Sequence, residues 1–600
     1  MKSFLKYTLA TIVGVIIVHI LMIFIFFGFI GIIASFGDKP AEVKNNSILH
    51  LQFKGNIPDR ASANPMDNFN FMSMKSIEST GLNDILKNIG KAQKDDRIKG
   101  IYLDLTEIES NFGGLATTVE IRNALQEFKA SGKFIYSYSN LGYSQKSYYL
   151  ATIADSVFVN PESPLILAGM GGTSFFYKDM LDKIGLKVDI VKVGKYKSAV
   201  EPFTQTEMSP ANREQIETYL KSLWGHLLLG ISETRPISVD SLNWLADHLE
   251  IRTPETDKAY GLFDGVFYED TMLDILKEKC GIKPEDKLNF ISLNDYKKAA
   301  VPNIKSEIIK DKIAVIYASG EIGISQTATT IGPELAQTVR KARKDKNIKA
   351  IVLRVNSPGG SALTSDIIWR EVQLASQTKP FIVSMGNVAA SGGYYISCAA
   401  DTIVADPTTL TGSIGIFGQF FSGEKLFKDK MGITGSTVKT NAHSDFGGGA
   451  PLPLPISNRP LTTYEKEVLQ KYIERGYETF LSRVAQGRHM TRDEVHEIAQ
   501  GRVWTGADAL QVGLVDVLGG LEQAIEIAAY KAGIEKYRIT EYPVEKDFLE
   551  ELLNNFSSSA KTRIMKEELG NFYETFRQLQ EFKNIPQGLM ARIPYNLAIE

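Results

Sequence analysis

The chain has 600 residues, 44% of them hydrophobic and 23% charged, a globular balance that excludes disordered, collagen-like and coiled-coil classes. At roughly 150 residues per domain the length amounts to about four domain-sized units or fewer large ones, enough to bury a core without covalent staples. Lys+Arg 67 against Asp+Glu 70 leaves a net charge of −3 with no long basic run, which argues against nucleic acid as a partner; two cysteines, Cys280 and Cys398, build no disulfide framework, and seven scattered histidines offer no metal-ligand pattern.

The first predicted element is a membrane span. Residues 7–36 form a 30-residue stretch with no formal charge other than the titratable His19. That exceeds the roughly 20 residues a bilayer requires, whereas a cleavable signal carries about 7 to 15 apolar residues and a small-residue exit. The exit here is SFGDKP, a poor cleavage site. Lys2 and Lys6 precede the span, so the positive-inside rule holds the short N-terminus in the cytoplasm and sends the remaining chain across. Residues 1–46 are read as a signal anchor, and no later stretch approaches this length.

The body that follows is a duplication. LQFKGNI from Leu51 resembles IYASGEI from Ile316, and IKGIYLDL from Ile98 matches IKAIVLRV from Ile348. Further on, YYLATIADSVFVNP from Tyr148 matches YYISCAADTIVADP from Tyr394, and TPETDKAYGLFD from Thr253 matches TGADALQVGLVD from Thr505. The change of offset between the first two pairs falls in the first half, at DRASANPMDNFNFMSMKS, a polar stretch expected to be a mobile surface loop. The halves are taken as 47–300 and 301–545. Strand signals alternate with amphipathic stretches such as ANREQIETYLKSLWGHLL, which implies α/β repeats built on βαβ connections. The charged, amphipathic remainder, 546–600, is expected to be a helical extension.

Divergence between the halves points to chemistry. The second half carries RVNSPGG from Arg354, AASGGYY from Ala389 and TGSIG from Thr411, where the first half has DLTEIESNFGG, SQKSYYL and AGMGG. At an offset of 246, Ser391 falls on Gln145 and Gly392 on Lys146. Conversely KVGKYK, ending at Lys197, aligns with KTNAHS, so Lys197 falls on Ser444. One half offers a serine on a strand-to-helix turn and the other a lysine, a pattern economically explained by one active site assembled from both.

A serine hydroxyl needs a base to attack a carbonyl, and an unprotonated amine can serve. Tyr196, Ala199, Val200 and Phe203 surround Lys197 in sequence, and burial there would lower its pKa. Gly392 opens a helix, so its N–H can face an oxyanion, with Gly359 and Gly360 allowing close backbone approach and a second donor. Ser413 could orient the amine, although a TGS turn is equally an ordinary structural element. His443, on the stretch aligned with the lysine segment, keeps a Ser-His-Asp arrangement open.

RVNSPGG, SMGNVAASGGYYIS, DPTTLTGSIGIFG and KVGKYKSAVEPF together closely resemble the signal peptide peptidase A family in its long, duplicated form, protease IV, and GRVWTGADALQVGLVDVLGG also fits. The resemblance implies two tandem Clp-protease/crotonase-like α/β repeats and a Ser/Lys-dyad serine endopeptidase needing no cofactor. Ser391 would be the nucleophile, Lys197 the general base, Ser413 the lysine-orienting hydroxyl, and the Gly392, Gly359 and Gly360 backbone the oxyanion hole. It further implies a homo-oligomer, commonly a tetramer, on the extracytoplasmic side of a bacterial inner membrane, acting on apolar peptides such as remnant signal peptides. Two other readings are a crotonase-like acyl-CoA enzyme, which would use carboxylates rather than a serine, and a catalytically inactive membrane scaffold.

Overall fold

The structure is a computed structural model that describes residues 42–61 (Lys54 apart), 80–106, 113–300, 309–326, 329–448 and 456–544, the short strands at 69–70, 75–76 and 588–592, and scattered positions before 22. The apolar segment 7–36 lies largely outside the described residues. Among those described, no helix is long and apolar enough to cross a membrane.

The N-terminal sheet is built from short β-branched and aromatic runs whose side chains are buried on both faces. Its order runs Gly265–Val266, Ser156–Val159, Phe134–Ser139, Ile98–Asp104, Ser47–Gln52, Phe290–Ser292, with every pairing parallel. A parallel sheet must be covered on both faces, and amphipathic helices do this. Leu82–Lys94 presents Leu82, Ile85, Leu86, Ile89 and Ala92 to the core at helical spacing, with Lys91 and Lys94 favourably placed against the dipole in its last turn. Pro210–Ser232 starts with proline in its first turn behind the cap Ser209, whose hydroxyl accepts from Asn212 N–H.

The C-terminal sheet repeats this order. Val517–Leu518, Thr402–Ala405, Phe381–Ala390, Ile348–Ser357, Lys312–Ser319 and Arg538–Tyr542 succeed one another in parallel, strand for strand as in the first sheet. Phe381–Ala390 is long enough to serve two neighbours: its first half pairs Thr402–Ala405 and its last three residues pair Leu410–Gly412. That fork carries the chain out to the turn at Ser391.

A third sheet joins the halves. Lys187–Lys192 of the first half lies antiparallel to Phe417–Ser422 of the second, from Lys187 opposite Ser422 to Lys192 opposite Phe417. The segment after Lys192 is thereby delivered into the second half. A buried ion-pair cluster adds a second joint: Arg354 is wholly buried and donates to Asp59 at 2.7 Å and Glu120 at 2.5 Å, both from the first half. Burial works against the guanidinium charge, but Glu120 and Asp59 outweigh it and hold Arg354 protonated. Asp59 belongs to the stretch expected to be a mobile surface loop, yet it is buried and also accepts from Asn356 and Ser319. A carboxylate so placed cannot be solvated, and the cation that compensates it is 295 residues away.

The extension 546–600, expected to be helical, lies outside the described residues except for Gly588–Arg592, which is a strand. Both of its edges are hydrogen-bonded to neighbouring strands, one arrangement that satisfies the backbone without a helix.

Candidate active site

Ser391 sits where Phe381–Ala390 ends and the short helix Gly392–Ser397 begins. Its backbone is at φ 56°, ψ −112°, a strained conformation for a residue with a side chain, and the hydroxyl makes no capping bond to the helix it precedes. Ser391 N–H donates to Gly412 O at 2.8 Å, which pins the turn. The turn also has no room for side chains on its neighbours: a Cβ on Gly392 would lie 2.8 Å from Ser365 Oγ and 3.1 Å from both Gly359 Cα and Gly360 N. The Ser391–Gly392 and Gly359–Gly360 backbones therefore meet only because these positions are glycine.

Lys197 approaches from the first half. Its loop is fixed by Tyr196 N–H donating to Gln500 O at 2.9 Å and by Gln215, which donates to Tyr196 O and Ser198 Oγ. Gly501, at φ +83°, lets the chain pass so close that a Cβ there would fall 2.6 Å from Lys197 N. Gln215 and Gly501 had no signal in the sequence: Gln215 acts on a loop folded back beside its own helix, and Gly501 meets Lys197 only once the two halves are docked.

The three side chains read from the sequence converge. Lys197 Nζ lies 2.8 Å from Ser391 Oγ, 3.0 Å from Ser413 Oγ and 3.0 Å from Ser413 O. All three residues are 0% exposed. Ser413 is itself at φ 50°, with its N–H donating to Arg502 O at 2.6 Å, so its carbonyl and hydroxyl are both held toward the amine. Burial, with no carboxylate among the causes, pulls the Lys197 pKa well below that of an ordinary lysine. A neutral amine has two hydrogens and one lone pair. Two acceptors on Ser413 match the hydrogens, so in the neutral form the lone pair would be the group left to face the Ser391 hydroxyl.

Gly359 and Gly360 lie across from the turn, on the short strand Gly359–Ser361, and Gly359 N–H donates to Ser357 Oγ at 3.2 Å. His443 is not part of this cluster. Its ring bonds Glu465 at 2.8 Å and stacks on Tyr464, on an exposed loop.

Residues 127–284 and 373–535 match the Peptidase family S49 profile, once in each half. The chain is 33% identical to the Serine protease SPPA, chloroplastic, of Arabidopsis thaliana, over 92% of this chain and 78% of that protein. It is 37% identical to Protease 4 of Haemophilus influenzae, over 74% and 72%, and 34% identical to Protease 4 of Salmonella typhi, over 91% and 88%. The protein is an α/β serine protease. It belongs to Peptidase family S49.

Proposed function

We propose that this protease is an endopeptidase in which Ser391 is the nucleophile and Lys197 the general base. The carrying observation is the 2.8 Å contact between a fully buried lysine amine, depressed in pKa by burial, and a serine hydroxyl on a strained turn. Lys197 takes the Ser391 Oγ proton as the oxygen attacks the peptide carbonyl, and the tetrahedral oxyanion is met by the Gly392 N–H with a second donor from the glycine pair, Gly360 rather than Gly359, whose N–H bonds Ser357 Oγ. Lys197 then gives its proton to the departing amine, leaving an acyl ester on Ser391. A water molecule, deprotonated in turn by Lys197, hydrolyses that ester and restores the serine. Ser413 orients the amine throughout.

The 30-residue apolar segment 7–36 supports a membrane-anchored form with its body on the extracytoplasmic side. Substrates reaching such a site are apolar peptides, remnant signal peptides among them; assembly as a homotetramer is carried by the family resemblance alone. A fluorophosphonate reagent tests the nucleophile: mass spectrometry is expected to find the adduct on Ser391 and none in Ser391→Ala. An adduct on another serine, or equal labelling of the variant, would contradict the reading.

A further inference from the structure

The strand Gly588–Arg592 is inserted between two others and runs antiparallel to both. On one edge Arg592 stands opposite Gly359, Ala591 opposite Gly360 and Met590 opposite Ser361. On the other, Met590 stands opposite Phe417, Leu589 opposite Gly418 and Gly588 opposite Gln419. The two flanking strands do not pair with each other. Without the insert they would be separated by a gap two ladder spacings wide, about 9.5 Å, with unpaired N–H and C=O groups on both walls.

The walls of this gap are the walls of the active site. Gly359 and Gly360 abut Gly392, the residue after Ser391. Phe417–Ser422 follows closely on Ser413, and its other edge pairs Lys187–Lys192, the strand that leads to Lys197. An extended peptide in the gap is therefore carried past the Ser391 hydroxyl, with its backbone satisfied on both sides, which is how a sheet gains a strand from a ligand. The Arg592 end of the segment lies at the glycine pair and its Gly588 end farther along Phe417–Ser422, which fixes the direction in which the chain enters.

We propose that residues 588–592 occupy the protease's own substrate groove, so that the C-terminal extension competes with peptide substrates for the strand position beside Ser391. The proposal rests on Ser391 being the nucleophile. A tethered occupant acts at an effective concentration of up to about millimolar, so its competition raises the apparent KM without altering the chemical step.

The test uses the full-length protein and Ala591→Pro. Proline removes the N–H at the residue opposite Gly360 and cannot sit in the middle of a strand paired on both edges. The expected result is a KM for an apolar fluorogenic peptide lowered by roughly fivefold or more, with kcat changed by less than about twofold. Fluorophosphonate labelling of Ser391 is expected to be faster in the variant, and a synthetic peptide of residues 586–596 is expected to inhibit it competitively. Unchanged KM and unchanged labelling rate in Ala591→Pro would overturn the proposal while leaving the Ser391 reading intact. Absence of labelling in both proteins would instead overturn the Ser391 reading, and this proposal with it.

Discussion

The two halves of the molecule build the same strand-to-helix turn and use it differently. In the first half the helix Gln145–Ala151 is capped by Ser144 at φ −74°, ψ 161°, a relaxed geometry in which the hydroxyl accepts from Ser147 N–H. In the second half the helix Gly392–Ser397 begins one residue later in the alignment, and its cap position, Ser391, is strained at φ 56°, ψ −112° with no capping bond. One serine is committed to stabilising a helix end, which is worth about 1 kcal/mol. The other gives that up, and its hydroxyl faces an amine. Around the first turn the counterpart residues also bond within their own half: Gln145 donates to Gly169 O at 3.1 Å and Lys146 to Gly113 O at 2.7 Å. The lysine segments differ in the opposite sense, since Lys197 is fully buried whereas Ser444, its counterpart, lies on an exposed loop. Each half thus supplies one side chain of the Ser391–Lys197 contact, and the counterpart position in the other half lies outside it.

Gly392→Ala takes the active turn one step toward its inactive counterpart, Lys146. The new Cβ would push against Ser365 Oγ and the Gly359–Gly360 backbone, so kcat is expected to fall by about 10²–10³-fold in a protein that remains folded by circular dichroism. Arg354 stands where the first half has Asp104, which bonds His50 and Gln52 within its own half. Arg354→Met leaves Asp59 and Glu120 buried without their cation, and urea unfolding should show a loss of about 3–5 kcal/mol. Ser413→Ala removes one acceptor from Lys197 and leaves the Ser413 carbonyl in place, so kcat/KM is expected to drop only about tenfold. Gln145→Ala, in the counterpart turn, is expected to change kcat/KM by less than about twofold. A large loss there would mean that the first turn takes part in catalysis and would break the comparison.

Much of this was legible before the structure. The complementary losses at Ser391/Gln145 and Lys197/Ser444 located both partners because duplication gives each residue an internal reference. The repeated sheet order follows from the same matched segments. Other features were not legible because they depend on groups that meet only after docking. Asp59 reads as one more polar residue in a loop until Arg354 arrives, and Gly501 reads as a turn glycine until the Lys197 backbone passes over it. Ser413 could be read two ways in sequence, and its positive φ, which aims two acceptors at one amine, is a backbone property with no composition signal. The strand at Gly588–Arg592 was hidden in an amphipathic stretch because its partners are three glycine-rich or aromatic residues on each side, far away in the chain.

The central claim is that a neutral, buried Lys197 activates Ser391, and the pH dependence of peptidase activity in Lys197→Ala against the unsubstituted protein tests it most directly. Protonated Lys197 cannot accept the serine proton, so kcat/KM should be lost as pH falls through the native pKa and should be at its plateau well below the ordinary lysine value of 10.5. The same shift has a stability sign: the unfolded chain binds a proton at this lysine that the native chain does not, so its contribution to stability rises with pH between the native pKa and 10.5. Lys197→Ala, while folded, is expected to lose activity by on the order of 10³-fold or more and to show no such limb. If Lys197→Ala keeps most of its rate with an unchanged pH profile, and His443→Ala does not, the base lies elsewhere and the account is contradicted.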